Sequence, residues 1–306
     1  MIKKDKIKYK KIAPPFGYFG SKNKIAFELC QNLPPHNCWV EAFCGSSAVT
    51  LAKPPAPIEI INDVDGEIVN VFRQLRNNSK MLCKQIELTP YSEEELLHAR
   101  NENSENLNDL ERARQFLIKS MMAINGAFGD SKGGFSYSDS YSRNNTEARV
   151  NRWNNLPERL DKVVGRLKDV RIENKDAKKL IERFIDRPAT LIYLDPPYLA
   201  ERVNGYEIEA NDYNFHLDLL NLICTSKSMI FISGYKNELY SELLTEDKGW
   251  SLKEIKTTTK GSNGSVKNRT EVIWMNSHFT NAMNSGIMPI ELDSKETTNK
   301  KLNPKR

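Results

Sequence analysis

No run of about 18 apolar residues occurs in this chain of 306, so no segment is expected to span a membrane. Cysteine is scarce and badly placed for cross-linking. Cys30, Cys38, Cys44, Cys83 and Cys224 are odd in number and lack Cys-x-x-Cys spacing, which excludes a disulfide framework. With only four histidines, His36, His98, His216 and His278, they also leave no set of metal ligands, and no metal is expected. All five cysteines read as reduced thiols, most of them buried, with Cys44 a small apolar filler. The first residues, Met1-Ile2-Lys3-Lys4-Asp5-Lys6, are basic but lack the apolar stretch of a secretory signal, and a cytoplasmic protein is expected. A strong excess of one charge is missing as well. The net charge of +5 permits nucleic-acid binding without requiring it, and part of it comes from lysines near the two ends of the sequence. With 39% hydrophobic and 28% charged residues, the composition is that of a globular protein with one large α/β core and a smaller attached lobe.

What the chain does contain is concentrated at Leu194-Asp195-Pro196-Pro197-Tyr198, delivered by the apolar run Leu191-Ile192-Tyr193. Two prolines in succession remove two backbone donors, fix two φ angles near −65°, and push the preceding residues toward extended backbone. The resulting bend is stiff. It offers a carboxylate, Asp195, and the Pro196 carbonyl as two rigid acceptors for the two hydrogens of a planar ring's exocyclic amine, with Tyr198 available to stack. Such acceptors pull the amine nitrogen toward sp³ geometry and aim its lone pair at an electrophile, which is catalysis by positioning and electrostatics. A plain turn with Asp and Pro in favoured places is the alternative.

A second element lies upstream. Val40-Glu41-Ala42-Phe43-Cys44-Gly45-Ser46-Ser47-Ala48-Val49 reads as a strand ending in a small-residue loop that opens a helix, so that backbone can approach a nucleoside. The strand Pro57-Ile58-Glu59-Ile60-Ile61 follows and closes on Asn62-Asp63, and an acid roughly 20 residues beyond such a loop is the usual partner of ribose hydroxyls.

With these parts in this order, the chain resembles the Dam-like (D12 class) adenine-specific DNA N6-methyltransferases over about residues 14–276. The resemblance implies S-adenosylmethionine as cofactor and a Rossmann-like α/β methyltransferase fold, a mostly parallel twisted sheet with helices on both faces plus a small, mainly helical target-recognition insertion. Tyr18-Phe19-Gly20-Ser21-Lys22 looks like the family's first cofactor-contacting segment, which implicates Tyr18 and Lys22. The family's glycine loop matches Glu41 to Val49 and so marks Glu41, Phe43 and Gly45. Its ribose-binding acid matches Asp63, and its catalytic tetrapeptide matches Asp195, Pro196, Pro197 and Tyr198, with Asp195 also facing the cofactor. Asp176, after Val170-Arg171-Ile172-Glu173, is implied to contact the cofactor's adenine. Ile230 to Tyr235 and Asn268 to Trp274 resemble later strands of the family. One departure stands out: the usual second glycine of the loop is Ser47, where backbone is less permissive.

Between these halves the texture changes. Residues 79–125 are helical in period, and Asn125 to Ser138 is glycine-rich and dotted with aromatics, flanked by Arg143, Arg149 and Arg152. Aromatics on a basic segment suit base stacking, and arginines suit phosphates or guanine edges. Phe128, Lys132, Phe135, Tyr137, Arg143 and Arg149 are therefore expected at DNA, together with Lys260, Lys267 and Arg269 from a later loop. Asn154 to Leu167 reads as a returning helix. Residues 199–214 read as a lid, His216 as opening the next helix, and the chain beyond Asn276 as coreless. The domain division follows: a flexible basic segment 1–13, a catalytic domain 14–76 and 154–276, a target-recognition insertion 77–153, and a flexible polar tail 277–306.

The expected reaction is transfer of the cofactor's methyl group to N6 of an adenine flipped out of duplex DNA. Double-stranded DNA is the expected partner, a cognate restriction endonuclease a possible companion, and a monomer or weak dimer the expected state. A cytosine N4-methyltransferase and a non-catalytic DNA-binding or cofactor-sensing relative stand as alternatives.

Overall fold

The apolar run ahead of the two prolines forms a fully buried strand, and a sheet is assembled around it. In the computed structural model, residues 11–18, 20–124, 133–199, 210–260 and 266–289 are described. The strands are β1 (Cys38–Glu41), β2 (Ile58–Asn62), β3 (Ser142–Arg143), β4 (Thr146–Glu147), β5 (Val170–Glu173), β6 (Thr190–Leu194), β7 (Met229–Gly234), β8 (Trp250–Lys260) and β9 (Val266–Asn276). Seven of them form one sheet in the order β5-β2-β1-β6-β7-β9-β8, and β3 pairs with β4 alone. β1, β6 and β7 run parallel, whereas β9 joins β7 and β8 antiparallel. Every residue of β1, β6 and β7 is buried, the near-continuous apolar pattern of strands covered on both faces. This is the Rossmann-like, mostly parallel arrangement expected from the sequence. No helix among the described residues is long and apolar enough to cross a membrane.

The chain divides into two compact units. The first comprises residues 1–31, 44–55 and 61–174. The helical period of residues 79–125 resolves into Ser79–Leu88, Glu93–Asn101 and Asp109–Met122. Ser92 and Asn108 start the second and third of these by accepting backbone N–H groups with their side chains. The returning helix Leu156–Leu167 buries Leu156, Leu160, Val163 and Leu167 on one stripe. These join Phe16, Phe72, Phe116, Leu117 and Trp153 in one core, where the Trp153 indole N–H donates to the Thr89 carbonyl at 2.9 Å. The strands β3 and β4 are a hairpin that periodicity did not reveal. Its turn is Asn144-Asn145 at φ 53° and 58°, the left-handed pair that a type I′ turn requires.

The second unit comprises residues 32–43, 56–60 and 175–306. Its core gathers Val40, Ile60, Leu180, Ile192, Leu194, Leu219, Leu220, Ile230, Ile232 and Trp274. Trp39 stacks on Tyr193 at 6.2 Å, Tyr193 on Phe231 at 4.6 Å, and Phe231 meets Phe279 at 5.4 Å, a row of rings behind the end of β6.

Three expectations are corrected here. The chain past Asn276 is not coreless, because Ser277–Ser285 is a helix that buries Phe279 and Ala282. Asn276 makes that turn possible: its side-chain oxygen accepts the N–H of Ile230 and of Phe279, each at 3.0 Å, while its amide donates to the Ser228 carbonyl at 2.8 Å. His216 does not open its helix, which begins at Ala210; it is buried mid-helix against the Tyr240 hydroxyl at 2.9 Å. All five cysteines are thiols outside any disulfide, but only Cys38 and Cys44 are buried, Cys30 and Cys83 being half-buried and Cys224 exposed. At the start of the described chain, Lys11 and Ile12 are tied down, the lysine on the Asn23 carbonyl and the Ile12 N–H on Leu51.

Candidate active site

In the first unit, the loop after β1 is held by the acid after β2. Asp63 accepts the Gly45 N–H on Oδ2 at 2.8 Å and the Asp65 N–H on Oδ1 at 3.0 Å. Asp65 in turn caps the helix Gly66–Asn77 by accepting the Glu67 N–H. Burial raises the Asp63 carboxyl above the ordinary aspartate value, and the N–H groups of Asp65 and Gly45 pull the other way. The Asn174 amide closes the neighbouring turn by donating to the carbonyls of Asp63 and Val64, at 2.8 and 3.0 Å.

The loop backbone is bent twice into the left-handed region, at Gly45 with φ 47° and at Ser47 with φ 56°. For Ser47 this costs about 1–2 kcal/mol relative to ordinary helical backbone. The position read as less permissive is therefore held in a glycine-like conformation by a serine, fully buried, whose N–H donates to the Cys44 carbonyl at 2.6 Å. Strain of this kind persists where the surroundings over-determine it, as at ligand-binding turns. Gly45 has a second reason to be glycine: a Cβ there would lie 3.1 Å from Tyr18 Cδ1. The Tyr18 ring thus covers the loop, and its phenol is pushed up to about 12 by burial first and then by the charges of Asp63 and Asp65. Lys22 is buried, with its ammonium on the Gly20 carbonyl at 3.1 Å, and the Ser21 and Ser46 hydroxyls bond at 2.9 Å. A small-residue loop bare of a side chain at Gly45, an aromatic face, an anchored carboxylate and an ammonium fit a nucleoside carrying a sulfonium and an amino-acid end.

In the second unit, the bend after β6 has a buried Pro196 and an exposed Pro197. The Ser233 hydroxyl, from β7, donates to Asp195 Oδ1 at 3.0 Å and is itself 2.9 Å from the Tyr193 hydroxyl. The Tyr198 hydroxyl is 3.3 Å from the same Asp195 Oδ1 and donates to Glu271 of β9, which is buried. The Tyr198 ring meets Tyr235 edge-on at 4.6 Å. Burial first, then the carboxylates of Asp195 and Glu271, push the Tyr198 phenol far above its ordinary value, so it stays a donor at all working pH. Tyr193 moves the same way, by burial and then by Asp195. Glu41 is buried at the end of β1, and the Phe43 ring packs edge-on against Phe215 at 6.2 Å. Asp176 is exposed and caps the helix Ala177–Glu182 through the Lys179 N–H.

Of the residues expected at DNA, Phe128 and Lys132 lie outside the described residues, and Lys260, Lys267 and Arg269 are described only as backbone of β8 and β9. Phe135 is half-buried between Tyr91, at 5.1 Å, and Tyr137, at 6.3 Å, whereas Tyr137 and Tyr141 are exposed. Arg143 is exposed on the β3–β4 hairpin and Arg149 on the helix after it. From sequence, Ser233, Tyr235 and Glu271 belong only to segments resembling later strands, with no role at the site. A glutamate immediately ahead of the apolar run Val272-Ile273-Trp274 was the available signal.

Residues 18–260 match the family model described as D12 class N6 adenine-specific DNA methyltransferase. A Type II methyltransferase of Lactococcus lactis subsp. cremoris, M1.LlaDCHI, is 22% identical over 293 residues, spanning 90% of this chain and 98% of its own. Among solved structures, the precorrin-6y C5,15-methyltransferase of Geobacter metallireducens is similar at 8% identity and TM-score 0.37, covering 89% of this chain and 95% of that one. The rRNA methyltransferase aviRa of Streptomyces viridochromogenes is similar at 14% identity and TM-score 0.33, covering 85% and 86%.

Proposed function

Because this chain belongs to the D12 class of N6 adenine-specific DNA methyltransferases, we propose roles for its residues in that chemistry. It is an enzyme that uses S-adenosylmethionine to methylate adenine in DNA. The cofactor supplies a methyl group on a positively charged sulfur. Tyr18 covers it, Lys22 takes its carboxylate, Glu41, Phe43 and Gly45 form the loop beside it, Asp63 accepts its ribose hydroxyls and Asp176 approaches its adenine.

In the second unit, Asp195 and the Pro196 carbonyl hold the two hydrogens of N6 on an adenine swung out of the duplex, at an unstacking cost of a few kcal/mol. Pro197 keeps the bend rigid and Tyr198 stacks on the base. The nitrogen lone pair attacks the methyl carbon as the carbon–sulfur bond breaks toward sulfur, and the N6 proton leaves afterward. The observation that carries this reading is the anchoring of Asp195 Oδ1 by the Ser233 hydroxyl at 3.0 Å, which fixes one carboxylate oxygen at the end of a parallel strand. Preset acceptors of this kind need no rearrangement when charge develops.

Residues 77–153 are assigned to target recognition, with the β3–β4 hairpin, Phe135, Tyr137 and Arg143 at the DNA, and Arg149, Lys260, Lys267 and Arg269 at phosphates. Phe128 and Lys132 are assigned to DNA contact as well. Residues 14–76 and 154–276 are assigned to catalysis. Double-stranded DNA is the substrate, a cognate restriction endonuclease is its companion, and a cytoplasmic monomer or weak dimer completes the reading. A radiolabelled methyl-transfer assay on duplex DNA, with digestion to nucleosides, tests it. N6-methyladenine is expected from the native chain and none from Asp195→Ala, which keeps its fold and much of its DNA binding. Label in N4-methylcytosine, or an Asp195→Ala chain at the native rate, overturns it.

A further inference from the structure

Glu271 is a buried carboxylate of β9 in contact with the Tyr198 hydroxyl. Its place follows from pairing: β9 runs antiparallel to β7 with Val272 opposite Gly234, so Glu271 comes level with the residue after β7, at the edge where β6 releases Asp195. A carboxylate only 5% exposed is expensive to desolvate unless a donor is aimed at it. The Tyr198 hydroxyl is such a donor. That hydroxyl has one hydrogen and two carboxylates in reach, Glu271 in close contact and Asp195 Oδ1 at 3.3 Å.

We propose that Glu271 is a positioning residue for methyl transfer: it takes the Tyr198 hydroxyl hydrogen, which fixes the ring and keeps that hydrogen away from Asp195. Asp195 is then served by Ser233 and keeps acceptor capacity for the target amine. Without Glu271 the phenol turns its hydrogen to Asp195 and competes with N6 for the carboxylate. The inference rests on the reading of Tyr198 as the ring beneath the adenine and of Asp195 as the acceptor of N6.

Single-turnover methyl transfer on preformed enzyme–DNA complexes with saturating S-adenosylmethionine tests it. Glu271→Gln retains an acceptor for the phenol and is expected to stay near the native rate. Glu271→Ala is expected to lose about 100-fold, the scale of a misplaced reacting group, with cofactor affinity unchanged. Tyr198→Phe keeps the ring and removes the competing hydrogen, so the double variant Glu271→Ala with Tyr198→Phe recovers to the rate of Tyr198→Phe alone. A merely structural role produces no such rescue. The proposal is overturned if Glu271→Ala keeps the native rate or the double variant is as slow as Glu271→Ala. Glu271→Met, similar in volume and without the acceptor, replaces Glu271→Ala if that chain does not fold; if neither folds, the glutamate holds the sheet rather than the ring, and the proposal is equally overturned. Tyr198→Ala separates the two readings. A native rate there sinks the stacking ring itself, whereas a large loss there beside an unaffected Glu271→Ala sinks only the present inference.

Discussion

Gly45→Ala places a methyl group where the loop has two objections to it, and the two can be measured apart. At φ 47° an alanine pays the left-handed penalty of about 1–2 kcal/mol. Its Cβ also arrives 3.1 Å from Tyr18 Cδ1, so the ring must retreat by a few tenths of an ångström, an overpacking cost of about 1 kcal/mol. The sum is roughly 2–3 kcal/mol. Gly20 provides the control, since at φ 73° it shares the backbone objection and has nothing within 4 Å of an added Cβ. Urea denaturation of the three chains, without cofactor, is expected to order them native, Gly20→Ala, Gly45→Ala. In a Tyr18→Ala background the Gly45→Ala loss is expected to shrink to the backbone share, a coupling of about 1 kcal/mol. Isothermal titration with S-adenosylmethionine is expected to show weaker binding by Gly45→Ala only. A Gly45→Ala chain within about 0.5 kcal/mol of native stability, or one whose loss is the same without the Tyr18 ring, refutes the account of this loop.

Acid titration reports on Asp63. Its carboxyl is raised by burial, so the native state binds its proton more readily than the unfolded chain, whose aspartate keeps its ordinary value of 3.8. Its contribution to stability is therefore present below that value and is lost as pH rises through the folded value, whereas the proposed ribose contact requires the ionised form. Cofactor affinity is expected to fall, as pH is lowered, before an ordinary aspartate would protonate, and Asp63→Asn should bind weakly with no such inflection; an inflection that survives in Asp63→Asn contradicts the assignment. At the DNA surface, Tyr137→Ala and Tyr141→Ala are each expected to cost about 1–3 kcal/mol of DNA affinity if their exposed rings stack on bases. Arg143→Ala should flatten the salt dependence of binding by about one counterion. Fluorescence anisotropy at several salt concentrations measures both, and native affinity in all three variants would move the DNA surface elsewhere.

The parts of the site that could be read directly are those whose chemistry is local. Asp195 is marked by the apolar run before it and the two prolines after it, and Asp63 by its distance from the small-residue loop. Both statements concern neighbours in the chain. Glu271 and Ser233 meet the bend only through the pairing of β7 with β9 and of β6 with β7, and that register is not written in either segment alone. The Asn144-Asn145 turn was hidden because its flanks, Ser142-Arg143 and Thr146-Glu147, are polar and short and show no alternation. The helix Ser277–Ser285 buries only Phe279 and Ala282, too few for a period, and its clearest mark was the capping Asn276. Ser47 was noticed as a departure, but that its backbone adopts the glycine conformation anyway depends on the turn around it.

The eleven-residue strands β8 and β9 have a consequence for how the chain can vary. Because pairing with β7 sets the height of the acidic residue on β9, the linker between β8 and β9 can gain or lose residues without carrying that acid along the strand. A slip of the ladder by a single step is another matter, since alternate side chains face opposite sides and the whole strand would turn its acid outward. Length in that linker is thus free to drift, while phase in the strand behind it is not.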